Sequence, residues 1–525
     1  MKNLNRFIFL LSSIILLIAL FSLGYTGRDD SHITYFVSNA LANGQGIINY
    51  NGDDWQQSSS LMFVLIQAFV SYITNSDPVF NGPILSFLFL LFSLLASIPL
   101  IKRKSSNYAP LLAFLTFPLI YWSLSGMEIS LYVFLLVLLL NYFDCLTNLP
   151  QSSNIKRVIL SLIFVLSCLI LTRPEFIFIF LGSLFLFFTF SRSHIKKHLA
   201  LIFVASILIT LFIKTFALNI SFFPNTVTSK TSNLDLMSIL VRDFTYLKEG
   251  IKSFHFTAML ATFFAMSLFL NFFVKKREEI DETFLFGFLI LVMSFSFVMA
   301  VGGDWMENGR FLVIPIFLSL FLGLLYYSAK IRAIHIILFS IFLTHDIVTP
   351  NIFTGFNINK NYDYKTFNFE PSIFEFYNSI HSRDISFIDK TLGIINNLPR
   401  SEEKYVIASV QAGMVPYYLF SEVPEKLYFI DLIGLTTQYP RTDSAYCNQV
   451  PEFNSALPYT PFNGGLDILK AFECSKLSID FIYDLDDENW TKLTQLLNST
   501  NCKEVFRDST MTPGHNYQFL ADCRD

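Results

Sequence analysis

Adjacent carboxylates and isolated arginines stand in the short polar stretches between long apolar runs. Asp29 and Asp30 could accept a proton from an attacking hydroxyl, or bind a divalent cation through oxygen, although a turn in solvent would also explain them. Arg173 could hold phosphoryl oxygens with its planar guanidinium, although a local ion pair with Glu175 would also explain it. These residue types point to acid–base chemistry beside a bound phosphate.

A second polar stretch contains Asp304, Trp305 and Arg310. In a sugar phosphate site, the carboxylate would bind hydroxyls, the indole would stack on the ring and the guanidinium would hold the anion. Trp305 alone would also suit an anchor at a membrane interface. The other candidate substrate-binding residues are His32, Glu128, Asn225 and Lys230. The sequence has no zincin, Walker or Gly-x-Ser-x-Gly motif, which argues against a zincin, an ATP-driven pump and an α/β-hydrolase.

The elements that position these residues must lie largely in lipid. Apolar residues make up 53% of the 525 residues and charged residues only 15%, against about a quarter in soluble proteins. A surface in water cannot be covered by so few charges, so disorder and a simple soluble enzyme are excluded. The net charge of −4 gives no sign of nucleic-acid binding.

Eleven apolar segments approach the roughly 20 residues that a membrane-spanning helix needs. We predict spans at 7–25, 79–101, 108–124, 129–144, 158–172, 175–190, 199–218, 256–274, 283–301, 311–327 and 333–349. The segment 60–73 is too short to span and is predicted to lie in the outer interface.

The basic residues predict the orientation of these spans. With the N-terminus in the cytoplasm, 15 of the 23 Lys and Arg residues in 1–349 fall in the inner segments, seven fall in the outer loops and Lys214 lies within a span. Counting 60–73 as a span would reverse every later loop. The candidate residues then all lie on the outer face, so a site is predicted there.

Residues 350–525 are predicted to form a separate α/β domain outside the membrane. They carry 14 basic and 23 acidic residues, a net charge of −9, whereas residues 1–349 carry 23 and 18, a net charge of +5. Four cysteines in an oxidising compartment suggest two disulfides, with three possible pairings. Proximity in the sequence favours Cys447–Cys474 and Cys502–Cys523.

Six short motifs in order resemble a group of GT-C glycosyltransferases that includes the mycobacterial terminal β-1,2-arabinofuranosyltransferase and relatives in Gram-negative bacteria. They are Arg-Asp-Asp-Ser-His at 28–32, Ser-Gly-Met-Glu at 125–128, Thr-Arg-Pro-Glu at 172–175, Pro-Asn-Thr at 224–226, Gly-Asp-Trp at 303–305 with Arg-Phe at 310–311, and Ile-Asp-Leu-Ile-Gly-Leu at 430–435. The resemblance implies a polytopic GT-C fold. It also implies a polyprenyl-phosphate sugar donor at the outer leaflet, a cell-envelope glycan or glycolipid as acceptor, and a location in the bacterial inner membrane.

The resemblance points to Asp29, with Asp30 beside it, as the catalytic carboxylates of an inverting transfer. On physical grounds, Arg173, Arg310 or Lys230 would hold the leaving phosphate. No cofactor is expected, because fixed cations can stabilise a phosphate leaving group, but a divalent cation stays open. The alternative is a transporter or flippase of an envelope lipid, which would leave the outer domain and the carboxylates of one face unexplained.

Overall fold

A computed structural model of the chain describes residues 2–23, 29–54, 56–148, 155–191, 195–222, 246–248, 254–274, 281–301, 307–348, 387–399, 404–409, 413–431, 481–486, 502–509 and 517–524. Its helices are α1 (Lys2–Leu23), α2 (Asp29–Ala42), α3 (Leu61–Thr74), α4 (Pro78–Lys104), α5 (Phe117–Ser123), α6 (Ile129–Asn148), α7 (Ile155–Thr172), α8 (Phe176–Phe190), α9 (Lys196–Leu211), α10 (His255–Val274), α11 (Glu282–Val301), α12 (Val313–Tyr326), α13 (Ala333–Val348) and α14 (Met414–Glu422). A further helical segment covers 387–397.

The predicted polytopic helical architecture is confirmed. In the described part of the chain, seven helices are long and apolar enough to cross a membrane, and four apolar helices are shorter. Long apolar runs become helices in lipid because a helix satisfies every backbone N–H and C=O within its own segment. Large apolar side chains also face outward, among them Phe185 (70% exposed) and Phe216 (78% exposed), as expected of a surface in contact with lipid.

The predicted span 108–124 is not one helix. A 3₁₀ helix (Ala109–Leu115) and α5 meet at Thr116, and Pro118 stands in the first turn of α5, where its missing N–H leaves no helical bond unmade. The residues of both short helices are buried. Irregular backbone at membrane depth is tolerated when protein surrounds it, so this segment forms the core of the bundle rather than a lipid-facing span.

The segment predicted to lie in the interface forms α3, a helix of 14 residues. It packs against α2 and α4. One face is buried, while Phe69, Tyr72 and Ile73 are more than 60% exposed on the other. An amphipathic distribution of this kind suits a helix that lies along a membrane surface.

At the end of the bundle predicted to be cytoplasmic, a buried carboxylate joins three helices. Asp144 of α6 is fully buried and faces two cations of α4, at 2.6 Å from Arg103 Nε and 2.9 Å from Lys104 Nζ. Lys104 Nζ also lies 2.6 Å from Asp281, which precedes α11. Two of the basic residues predicted as topological anchors therefore also hold helices together.

The C-terminal region contains the predicted α/β structure. Its strands are β1 (Tyr405–Ser409), β2 (Leu427–Asp431), β3 (Phe481–Asp486), β4 (Lys503–Ser509) and β5 (Tyr517–Asp522), in the sheet order β2-β1-β3-β5-β4. The pairs β1–β2 and β1–β3 are parallel, and β3–β5 and β4–β5 are antiparallel. The predicted disulfide Cys502–Cys523 is present, whereas Cys447 and Cys474 lie outside the described residues.

The segment after α2, predicted to be the first outer loop, docks on this C-terminal unit. The Asn51 side chain exchanges two hydrogen bonds with the backbone of Phe429 in β2: its amide N–H donates to the carbonyl at 2.9 Å, and its Oδ1 accepts the Phe429 N–H at 2.7 Å. The Tyr50 hydroxyl donates to the Gly413 carbonyl at 3.2 Å. The sheet is thereby tied to the chain segment that follows α2.

Candidate active site

The first turn of α2 carries the predicted catalytic carboxylates. The helix begins at Asp29, and carboxylates suit this end because the helix dipole is positive there. The Asp30 Oδ2 atom lies 3.5 Å from Arg310 Nη1. Asp29 is the first residue of the helix, and its side chain is not among the parts of the chain that the structure describes. The structure thus brings one predicted carboxylate and one predicted arginine together across 280 residues of sequence.

A tight turn before α6 brings the side chains of Met127 and Glu128 to the two arginines, Arg310 and Arg173. Gly126 has a φ of +75°, and a Cβ added there would meet the hydroxyl of Tyr35. The Ser86 hydroxyl donates to the Met127 carbonyl and fixes the turn against α4. The Met127 sulfur then lies 4.0 Å from Arg310 Nη1. The next residue, Glu128, points to the neighbouring helix hairpin.

Arg173 lies in the hairpin between α7 and α8 and faces two carboxylates. Its Nη2 atom is in direct contact with Glu128, and its Nη1 atom donates to Glu175 Oε1 at 3.2 Å. Arg173 and Glu128 are 6% and 2% exposed, so both charges are removed from water. The local ion pair between Arg173 and Glu175 is present, and Glu128 extends it into a cluster of three charged residues that was not predicted from the sequence.

Both arginines lie close to the ring of Phe311. The 3₁₀ helix Glu307–Leu312 places Arg310, which is 4% exposed, just before α12. The guanidinium carbons of Arg310 and Arg173 lie 5.3 and 5.9 Å from the centroid of the Phe311 ring. Attraction between a cation and an aromatic ring therefore helps hold both arginines.

A small pocket, lined mostly by apolar surface, lies between these groups. Its volume is about 30 Å³, room for about one water molecule. Arg173, Glu175 and Arg310 line it, together with Tyr132 and Ser294, whose buried hydroxyls have no hydrogen-bond partner within the described part of the chain. Neither residue is among the candidates predicted from the sequence. The sequence spacing could have indicated Tyr132. This residue follows Glu128, the residue before α6, by four positions, so the two side chains lie on the same face of the helix.

A much larger apolar cavity of about 620 Å³ is also present. Pro315 lines both spaces, so both reach the start of α12. The lining of the large cavity comes mainly from α10, α11 and α12 and is almost entirely apolar, with Thr262, Ser296 and Ser319 as its hydroxyl-bearing residues. The arrangement suits a molecule with a small charged group and a long apolar part.

His32 lies apart from the pocket lining. It is 1% exposed, and its ring centroid lies 5.2 Å from that of Tyr35 in α2 and 5.4 and 5.9 Å from those of Tyr417 and Tyr418 in α14. Burial raises the pKa of the Tyr418 phenol, and the negative charge of Asp77 adds to this effect. His32 therefore packs where the C-terminal unit meets α2, and its predicted contact with substrate stays a prediction.

Four predicted substrate-binding residues lie outside the described residues: Asn225, Lys230, Asp304 and Trp305. Their roles stay predictions. Of the others, Asp30, Glu128, Arg173, Glu175 and Arg310 gather around the pocket.

No protein-family profile and no curated protein sequence matches the chain. Among solved structures, the chain is similar to the archaeal oligosaccharyltransferase AglB from Archaeoglobus fulgidus in complex with an inhibitory peptide and a dolichol-phosphate. The TM-score is 0.52 at 13% identity, covering 98% of this chain and 74% of that one. It is also similar to ArnT from Cupriavidus metallidurans in the apo state, with a TM-score of 0.42 at 11% identity, covering 99% and 97% of the two chains. The likeness to AglB shows that the chain has the GT-C membrane fold.

Proposed function

We propose that this multi-pass membrane protein is a glycosyltransferase that moves a sugar from a polyprenyl-phosphate carrier to a cell-envelope glycan or glycolipid. The observation that carries the proposal is that an arginine-lined pocket and a large apolar cavity share Pro315 in their linings. A phosphate on a long isoprenoid chain has the same two parts, and the pocket, which has room for about one water molecule, must widen to admit the phosphate. The dolichol-phosphate bound by AglB, the neighbour with the same fold, supports this carrier class.

Arg310 is the residue that we assign to the leaving phosphate. Its guanidinium group is buried, lines the pocket and stands just before α12, whose Pro315 lines both the pocket and the apolar cavity, whereas Arg173 bridges Glu128 and Glu175. The summed charge of the described cluster, two arginines and three carboxylates, is −1. Binding of an anion there depends on the direction of the Arg310 guanidinium group and not on net charge. The five residues are Arg173, Arg310, Asp30, Glu128 and Glu175. Tyr132 and Ser294 can donate to the remaining oxygens.

The reaction that fits this arrangement is a single displacement. The oxygen of the acceptor hydroxyl attacks the anomeric carbon, and Asp29 takes the proton of that hydroxyl. The bond from that carbon to the phosphate oxygen breaks on the opposite face, which inverts the configuration. Polyprenyl phosphate leaves with the electron pair, and Arg310 stabilises the charge that develops on it. The described carboxylates beside the pocket each face an arginine, so we propose a mechanism without a bound metal.

The finer features of the proposal rest on the sequence. The resemblance to arabinofuranosyltransferases suggests a pentose or hexose donor, and the basic residues suggest a cytoplasmic N-terminus with the site outside the bacterial inner membrane. Glycans such as lipopolysaccharide or arabinan are the acceptors that this location offers.

The test is mass spectrometry of envelope glycans and lipids from a strain that lacks the gene. One glycan should lose a sugar while the corresponding polyprenyl-phosphate sugar accumulates. The wild-type protein should restore the glycan, and a folded, membrane-inserted Asp29→Asn variant should not. Asp54→Asn, in an exposed position of the same outer loop, is the matched control and should restore it.

Full restoration by Asp29→Asn would show that another group is the base. A lipid flippase would give a different pattern: the purified protein would translocate a polyprenyl-linked lipid across vesicles that contain no acceptor, and the deletion strain would retain the intact donor on the inner leaflet.

A further inference from the structure

Two histidines and an aspartate meet away from the candidate active site. His255 begins α10, and His345 and Asp346 lie in the last turns of α13. One ligand atom from each residue lies within 4.8 Å of the other two. By the predicted orientation, both helix ends are on the outer face. Sequence reasoning missed the cluster because His255 and His345 are 90 residues apart.

Asp346 is held in an orientation that suits a metal ligand. It is 1% exposed, and its Oδ2 atom accepts the Thr257 N–H at 2.7 Å. Its Oδ1 atom is 3.8 Å from His345 Nδ1, which is longer than a hydrogen bond. Two ligands of a tetrahedral zinc ion lie roughly 3.3 Å apart, because each is about 2.0 Å from the metal. A small shift of side chains would therefore bring both atoms to bonding distance.

The histidine rings are also pre-positioned. Their centroids are 5.5 Å apart, and the Phe256 ring packs against both, at 4.3 Å from His255 and 4.8 Å from His345. The hydrogen bond from a backbone N–H to the aspartate is the type of outer contact that orients a metal-binding carboxylate. Two imidazoles and one carboxylate are a ligand set typical of Zn²⁺ sites that keep an open position.

We propose that His255, His345 and Asp346 bind a divalent transition metal ion of the Zn²⁺ type, with water as the fourth ligand. The ion would fasten the start of α10 to the end of α13. The residue before His255, Phe254, is fully buried, lines the large apolar cavity and lies against Gly309 next to Arg310. The metal would therefore fix the helix end that forms one wall of the proposed carrier site, without taking part in the chemistry.

The test is Zn²⁺ binding by the full-length protein in detergent, purified without a histidine tag and stripped with a chelator. We expect one tightly bound Zn²⁺ per chain by elemental analysis, and a Co²⁺ absorption spectrum of tetrahedral type. His255→Ala and His345→Ala should each raise the Kd for Zn²⁺ at least tenfold. Zinc at about 100-fold above its Kd should raise the melting temperature of the wild type by about 2 °C.

Two further variants make the result specific. Asp346→Asn keeps an oxygen that can accept the Thr257 N–H but loses the anionic ligand, so it should fold and bind Zn²⁺ more weakly. His335→Ala is the matched control, because His335 is exposed at the other end of the same helix. It should bind like the wild type. Equal binding by the wild type and a His255→Ala/His345→Ala double variant, or no binding by the wild type, would overturn the proposal.

Discussion

Arg310→Gln separates recognition of a phosphate from recognition of a lipid chain. Arg310 is 4% exposed and lines the pocket that shares Pro315 with the apolar cavity. A hydrogen bond to a charged group contributes about 1.5–3 kcal/mol, so its loss should weaken binding of undecaprenyl phosphate by roughly 10- to 100-fold. Binding of undecaprenol, which has the same chain without the phosphate, should change less than about twofold because the cavity is untouched.

Thermal-shift titration of the detergent-solubilised protein with each lipid measures both affinities. Arg173→Gln is the informative comparison. Loss of the Arg173 guanidinium group leaves the carboxylate of Glu128, which is 2% exposed, without its cation. Breaking a buried ion pair in this way lowers the free energy of unfolding by about 3–5 kcal/mol. Arg173→Gln should therefore lower the melting temperature more than Arg310→Gln does, and a Glu128→Gln/Arg173→Gln double variant should recover much of the loss.

The assignment of the phosphate to Arg310 would be refuted in either of two ways. Arg310→Gln could leave the affinity for undecaprenyl phosphate unchanged. It could also weaken the binding of both lipids equally, which would indicate a general distortion of the cavity. A large loss of phosphate binding in a well-folded Arg173→Gln protein would transfer the assignment to Arg173.

Three further substitutions test the framework around the site. Gly126→Ala combines an unfavourable φ with a clash against the Tyr35 hydroxyl, so it should lower the melting temperature, and Tyr35→Phe should restore part of it. Asp144→Asn leaves two cations without their buried partner and should destabilise the protein by about 2–4 kcal/mol in denaturant titration, whereas the exposed Asp54→Asn should not. Cys502→Ser should cost about 3 kcal/mol, because the disulfide to Cys523 closes a loop of 21 residues; under reducing conditions wild type and variant should unfold alike.

The sequence predicted the helices well because each span must satisfy its backbone locally. Ten of the eleven predicted spans coincide with a helix, within about five residues at each end once the π-helical turn Phe212–Ala217 that continues α9 is included. The exception, 108–124, is apolar enough to span but contains Pro110 and Pro118 and is enclosed by other helices. Hydropathy cannot separate a helix in lipid from an apolar segment inside the protein, because both exclude water.

The site was predicted as a set of residues on one face but not as pairs. An ion pair between Arg173 and Glu175, two residues away, was one of two interpretations of the sequence, and the structure adds Glu128 from the turn before α6. The contact of Asp30 with Arg310 likewise depends on how α2 and α12 pack. Side chains that meet across helices give no local signal, so these pairs required the structure.

The contacts of α2 bear on what the C-terminal unit does. Asp30 stands at the start of this helix, and Ile33 and Tyr35 belong to the same buried apolar cluster as Tyr417 of α14. The Tyr417 hydroxyl also donates to Asp77 Oδ1 at 2.8 Å, just before α4. α2 is thus held by the C-terminal unit on one side and by α3 on the other. A carboxylate placed by a helix fixed on both sides keeps a set distance to Arg310, and for this reason we propose that the C-terminal unit positions the catalytic turn, whatever acceptor it also contacts.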